Sequence, residues 1–169
     1  MGLFGGFLGW EAYDERLPNS EKYLETAGIT YEIKIVNIDV DHPNTYKITL
    51  SSENETRKLT AISTGGGMIE VIEIDGNAVS MAGDYFETLV YCSNHQLIID
   101  FLKSNIEFDD IILHKGNSPF IQIKSQRFPS QTILNELLAF EDITAIKFLN
   151  PVLPVMARKN MTVPFITCN

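Results

Sequence analysis

Residues Tyr85–Ile106, YFETLVYCSNHQLIIDFLKSNI, change hydrophobic period part-way along. Up to Cys92 the stretch is dense in aromatic, β-branched and other apolar residues, the composition of a buried strand. Beyond Ser93 the apolar residues Leu97, Ile98, Phe101 and Leu102 fall at i, i+1, i+4 and i+5, which places them on one stripe of a helix. Ser93 followed by Gln96 has capping-box spacing and predicts where that helix starts. The same alternation of signals continues downstream: strand FDDIILHK (108–115), strand PFIQIKSQ (119–126), a helix from Ser130 to about Phe140, and strand TAIKFL (144–149). The second helix carries Ile133, Leu134, Leu137 and Leu138 at the spacing of the first, and Ser130 directly after Pro129 marks its start.

The order βαββαβ over residues 84–150 predicts a ferredoxin-like sandwich, with both helix stripes on one sheet. Upstream, the pattern is mostly that of an antiparallel or mixed sheet carrying one short helix, so the fold class is α+β. Pro18 with Asn19 or Ser20 starts that helix, Tyr23, Leu24 and Ala27 give its apolar face, and Gly28 sits where a C-terminal cap belongs. Residues 29–38 (ITYEIKIVNI) and 45–50 (TYKITL) alternate as strands around a turn containing Pro43. The polar turn 51–56 leads to a strand RKLTAIS (57–63), then three glycines, then extended MIEVIEIDG (68–76). The predicted organisation is a first module over 1–83, a second over 84–150, and a Pro-rich tail over 151–169, whose apolar content calls for a covering surface.

Composition excludes several classes. The 169 residues carry a net charge of -9 with only 13 Lys and Arg, a poor match to a phosphate backbone. The longest apolar run, MGLFGGFLGW, reaches only Trp10, far short of the ~20 residues of a membrane helix, and lacks the plan of a signal peptide. It reads as a strand or helix edge packed on protein, and its abrupt apolar start predicts a preceding segment elsewhere. Two cysteines, Cys92 and Cys168, are too few for a disulfide framework or a complete zinc or iron-sulfur ligand set, so a reduced, cytoplasmic protein is expected.

Few residues carry chemistry. Gly65, Gly66 and Gly67 free the backbone for positive φ, so their amides either converge on an anion or close an ordinary turn or bulge. No nucleotide-loop glycine pattern accompanies them. His42, in VDHPNT, is either an exposed turn residue or an imidazole at a cleft rim supported by Asn44. His95 and His114 read as surface residues, Cys92 as buried and inert, and Asp14/Glu15, Glu53/Glu55 and Asp109/Asp110 as solvated charges. No activated-nucleophile signature is present, and no metal site is expected in this chain.

Three stretches in order, GGFLGWEAYDERLPNS (5–20), DVDHPNTYKITL (39–50) and STGGGMIEVIEIDG (63–76), resemble the β subunit of the bacterial iron-sulfur-dependent L-serine dehydratases. The resemblance covers roughly residues 1–76. It implies a domain similar to the allosteric substrate-binding domain of some phosphoglycerate dehydrogenases, followed by an ACT domain that matches the βαββαβ order. Two departures stand out: the family's P-S-S-S-H-T segment is missing, and the usual glycine after the first ACT strand is replaced by CSNHQ, which bears on amino-acid binding there.

The resemblance implies a regulatory or β portion of an enzyme that converts L-serine to pyruvate and ammonia only when assembled. A [4Fe-4S] cluster is expected in an α subunit or catalytic domain, not in this chain, which alone is expected to be inactive. It turns His42 into the candidate catalytic residue, and Asn44, Ser63, Gly65, Gly66 and Gly67 into candidate ligand-binding positions facing that partner or L-serine. The rival readings are a stand-alone ACT-like sensor of a free amino acid, and a structural remnant. An exposed edge strand of the ACT-like sheet makes a homodimer an expectation as well.

Overall fold

The structure is a computed structural model that describes residues 2–37 and 39–151. The expected Pro-rich tail beyond Pro151, Cys168 and the last residue of the expected 29–38 strand therefore lie outside the described residues. The chain divides into two compact units, residues 1–39 and residues 40–169.

The first unit is helical. The apolar N-terminal run forms helix α1 (Gly2–Phe7), and a 3-10 turn at Leu17–Asn19, which holds Pro18, leads into helix α2 (Ser20–Thr26). Gly5 is buried because Leu17 lies directly over it, leaving no room for a side chain. Leu24 is the buried residue of the α2 face, while Trp10 packs edge-on against Tyr23 and carries the Arg16 guanidinium on its ring. Gly28, at φ +75, ends α2 as expected: its N–H donates to the Glu25 carbonyl and the Ile29 N–H to that of Leu24, a Schellman arrangement. Residues 29–37 correct an expectation. They alternate like a strand but pair with no strand among the described residues, because alternation marks a face to be covered and supplies no hydrogen-bonding neighbour.

The second unit begins with a four-stranded antiparallel meander, β1 (Thr45–Ser51), β2 (Thr56–Gly65), β3 (Met68–Ile74) and β4 (Asn77–Met81), in the order β1-β2-β3-β4. The stretch expected to be extended, 68–76, supplies β3 and then the turn of a further hairpin. Asp75 and Gly76, at φ 50 and 78, make the tight turn that Asp-Gly favours, so β4 is an additional strand. The remainder is βαββαβ as expected: β5 (Phe86–Cys92), α3 (His95–Asn105), β6 (Asp110–His114), β7 (Phe120–Ser125), α4 (Gln131–Leu138) and β8 (Ile143–Leu149). Its sheet runs β6-β7-β5-β8 with every described pair antiparallel, the ferredoxin-like arrangement within an α+β chain.

Alternation along β5 and β7 divides the core in two. Val90, Cys92, Ile121 and Ile123 point to the helices and meet Ile98, Leu102, Leu134 and Leu137. Each such fully buried side chain contributes about 1.5–3 kcal/mol. The opposite face supplies Leu89, Tyr91 and Phe120, which pack with Ile74 and Met81 of the meander. All seven residues of β5 are buried because it is covered on both sides. Residue 83, where a module boundary is expected, lies in the connection between the two sheets. The helix start also shifts: Asn94, not Ser93, accepts from the Leu97 N–H and caps α3, while the Ser93 hydroxyl donates to Asp142 at 2.6 Å. Ser130 caps α4 as expected, accepting from the Ile133 N–H.

Candidate functional site

The meander brings two separate motifs to one end. Pro43 prevents β1 from starting earlier, so residues 41–44 form a bend at its head. Within it the His42 Nδ1 accepts from the Asn44 backbone N–H at 3.2 Å, and the His42 carbonyl accepts from the Thr45 hydroxyl at 2.6 Å. A ring whose Nδ1 accepts carries its neutral-state proton on Nε2, so Nε2 is the nitrogen left for other work. The pairing of Thr45 with Ile62 then places the Asn44 carbonyl opposite Ser63, whose N–H donates to it at 3.0 Å. His42, Asn44 and Ser63 thus share one corner of the sheet.

From that corner β2 runs into the glycines. A bulge between Ser63 and Gly65 precedes the Gly65–Met68 pair, and Gly66 and Gly67, at φ 61 and 81, close the β2–β3 hairpin. The ordinary-turn reading therefore describes their backbone role. Their N–H groups find no hydrogen-bond partner among the described residues, and open space surrounds all three glycines. The loop is exposed, so the two amides stand available to an anion arriving from outside, a few residues along the hairpin from Ser63.

Several polar residues that sequence patterning passed over are organised elsewhere. His114 and His95, expected at the surface, are both half-buried. The His114 ring packs on Phe120, and its Nε2 lies 2.6 Å from Gln122 Oε1. Gln122 in turn donates to Glu87 Oε2 at 2.9 Å, while Glu87 Oε1 is buried without a partner among the described residues. Burial pushes the Glu87 carboxyl above the usual carboxylate range, against the pull of the Gln122 hydrogen bond and of Lys124. A lone carboxylate inside the apolar run of β5 was the available signal. Arg57 donates to Asp75 at 2.8 Å and to Glu55 at 2.5 Å and lies over the Tyr91 ring, tying the two sheets together. Asp14, expected to be a solvated charge, is ion-paired with Arg16, whose hydrogen bonds lower its pKa to about 2.

A shallow groove of about 630 Å³ lies well along the chain from the motif corner, between the end of α3 and the start of α4, lined by residues such as Asn105, Arg127 and Pro129. None of the candidate site residues lines it. Burial raises the pKa of the Cys92 thiol, helped by Asp142, and Cys92 faces the helix-side core. No three His, Cys, Asp or Glu side chains gather into a metal-binding group among the described residues. With two cysteines in the whole sequence, this chain does not fit a four-thiolate cluster. No helix among the described residues is long and apolar enough to cross a membrane.

No protein-family model matches the chain. Among curated proteins it is 37% identical over 90 residues to the probable L-serine dehydratase, beta chain, of Bacillus subtilis, a match covering 53% of this chain and 41% of that protein. It is 27% identical over 157 residues to the L-serine dehydratase, beta chain, of Peptoniphilus asaccharolyticus, covering 87% of this chain and 71% of that one. The match thus spans less than half of the first relative's length and somewhat over two thirds of the second's. By sequence the chain is a relative of the β chains of L-serine dehydratase.

Proposed function

We propose that the chain is the β portion of an L-serine dehydratase, and that L-serine becomes pyruvate and ammonia only in the assembled enzyme. The observation that carries this reading is the Ser63–Asn44 hydrogen bond, which joins the His-Pro-Asn bend to the strand leading into the three glycines. The names of the two relatives support it, since a β chain presupposes a partner chain. That partner, an α subunit or catalytic domain, is where we place the [4Fe-4S] cluster.

In this reading the division of labour follows from the chemistry of the corner. Gly66 and Gly67 offer two N–H donors in a loop with space around it, suited to the carboxylate of L-serine. Asn44 and Ser63, joined through their backbones, are the candidate ligand-binding positions beside His42 at the same end of the sheet. The His42 imidazole, oriented through Nδ1, presents Nε2 to hold or pass a proton during the elimination. The module downstream of residue 83 is the ACT-like regulatory part.

Co-expression with a cluster-bearing partner tests the proposal. Pyruvate formation from L-serine is expected from the complex and none from the chain alone. A chain that instead binds L-serine or another amino acid tightly by calorimetry, and captures no cluster-bearing partner, would be a sensor and would refute it.

A further inference from the structure

Residues 29–37 hold strongly exposed apolar side chains, with Ile33 65% and Ile35 98% exposed. Through Ile35 the apolar residues Ile29, Tyr31, Ile33 and Ile35 alternate with Thr30, Glu32 and Lys34, which is the pattern of a strand with one covered face, and Val36, 61% exposed, falls on the other face. From Thr30 to Asn37 no backbone hydrogen bond to another described residue occurs. Helix α1 already meets one end of the apolar face, where Phe4 packs on Tyr31 at 4.5 Å between ring centroids. The layer has a helix on it and lacks a neighbouring strand.

We propose that this segment is the pairing strand of a homodimer, formed antiparallel with the same segment of a second copy. The choice of occupant rests on self-complementarity. With the two-fold axis at Ile33, Glu32 stands opposite Lys34 of the second copy and Tyr31 opposite Ile35, an opposite-charge pair and an aromatic–β-branched pair, each occurring twice by symmetry. Centring on Glu32 or Lys34 would set like charges face to face. Centring on Tyr31 or Ile35 would leave both charges without an opposite partner. Any register between residues would mix the apolar and polar faces. Glu32 and Lys34 already pair along the strand at 3.1 Å with both side chains mostly exposed, so the dimer would close a ring of four alternating charges.

Sedimentation equilibrium and light scattering on the full chain at low ionic strength test this, with circular dichroism to confirm folding. A dimer is expected for the unmodified chain. Glu32→Lys should weaken its association about tenfold by placing lysines opposite one another, and adding Lys34→Glu should restore it. A chain that stays monomeric at the highest concentration, a dimer indifferent to Glu32→Lys, or a double variant no better than the single one would each overturn the proposal. Capture of these residues by a different protein while the chain remains a monomer would do the same.

Discussion

The Ser63 N–H donates to the Asn44 carbonyl at 3.0 Å, so two motifs nineteen positions apart in the chain (63 minus 44) are held by one backbone hydrogen bond. Antiparallel pairing of β1 with β2 enforces the contact: any one-residue slip would part it and turn the half-buried Ile48 and Leu59 to the wrong face. The proximity is therefore a property of the fold and survives replacement of the side chains it brings together.

His42→Ala follows from that independence. The ring is half-buried and accepts one hydrogen bond from an exposed backbone N–H, so its loss should change stability by no more than about 0.5 kcal/mol. If Nε2 handles a proton, pyruvate formation by the reconstituted enzyme should fall on the order of a hundredfold. Turnover within twofold of the unmodified complex would remove His42 from the site.

At Gly66 the constraint is conformational. A Cβ there would meet no neighbour, so the difficulty with Gly66→Val lies wholly in the φ of 61. A β-branched residue held in that region should cost about 1–2 kcal/mol, whereas Gly66→Asn, which tolerates it, should cost less. Urea unfolding of the two variants measures the difference; equal losses would mean that the hairpin changes its turn to suit.

Much of this architecture was readable from period alone, and the misreadings share a cause. The helices α3 and α4 were legible because Ile98, Leu102, Leu134 and Leu137 repeat at helical spacing and are buried for that reason. Periodicity is silent about neighbours. It marks residues 29–38 as a strand although no described strand lies beside residues 29–37, and it passes over β4, which the Asp75–Gly76 turn signals. The cap of α3 moved from Ser93 to Asn94 because Ser93 is taken by Asp142, 49 residues away in the chain. The candidate corner was legible only through family resemblance, since a histidine in a turn and three glycines carry no periodic signal. The buried Glu87–Gln122–His114 chain, which spans three strands of one sheet, needed their order to be known.

Glu87 gives the fold a definite response to pH. Burial raises its pKa in the folded state above the ordinary 4.5, so folding favours the protonated carboxyl. Well below that value both states are protonated and the residue contributes no pH dependence. As pH rises through it the unfolded chain ionises first, and stability falls until the folded carboxyl ionises too. Glu87→Gln removes the titration and keeps a carbonyl acceptor for Gln122, with an uncharged amide NH2 in place of the partnerless carboxylate oxygen. It should raise stability at pH 7 by about 1 kcal/mol and leave pH 4 nearly unchanged. A variant less stable at pH 7 than at pH 4, relative to the unmodified chain, would show that the carboxylate is paired in solution.

Arg57 can be read through two observables at once. Its guanidinium is partly buried, which works against its charge, yet hydrogen bonds with Asp75 and Glu55 outweigh that and raise its pKa. Replacing it by Leu leaves the Asp75 carboxylate, 9% exposed, with only the Lys58 N–H as a partner among the described residues. Stranding a charge in this way should cost about 2 kcal/mol, seen as a lower urea midpoint with an unchanged slope. The second observable is Tyr91, whose pKa is raised chiefly by burial while Arg57 pulls it down. Arg57→Leu should move the Tyr91 titration further upward, followed by ring-carbon NMR. Arg57→Lys should recover much of the Tyr91 shift and little of the stability, because an ammonium keeps the charge but cannot reach Asp75 and Glu55 in the same planar fork. Full recovery of both by Lys would mean that charge alone holds the two sheets together at this point.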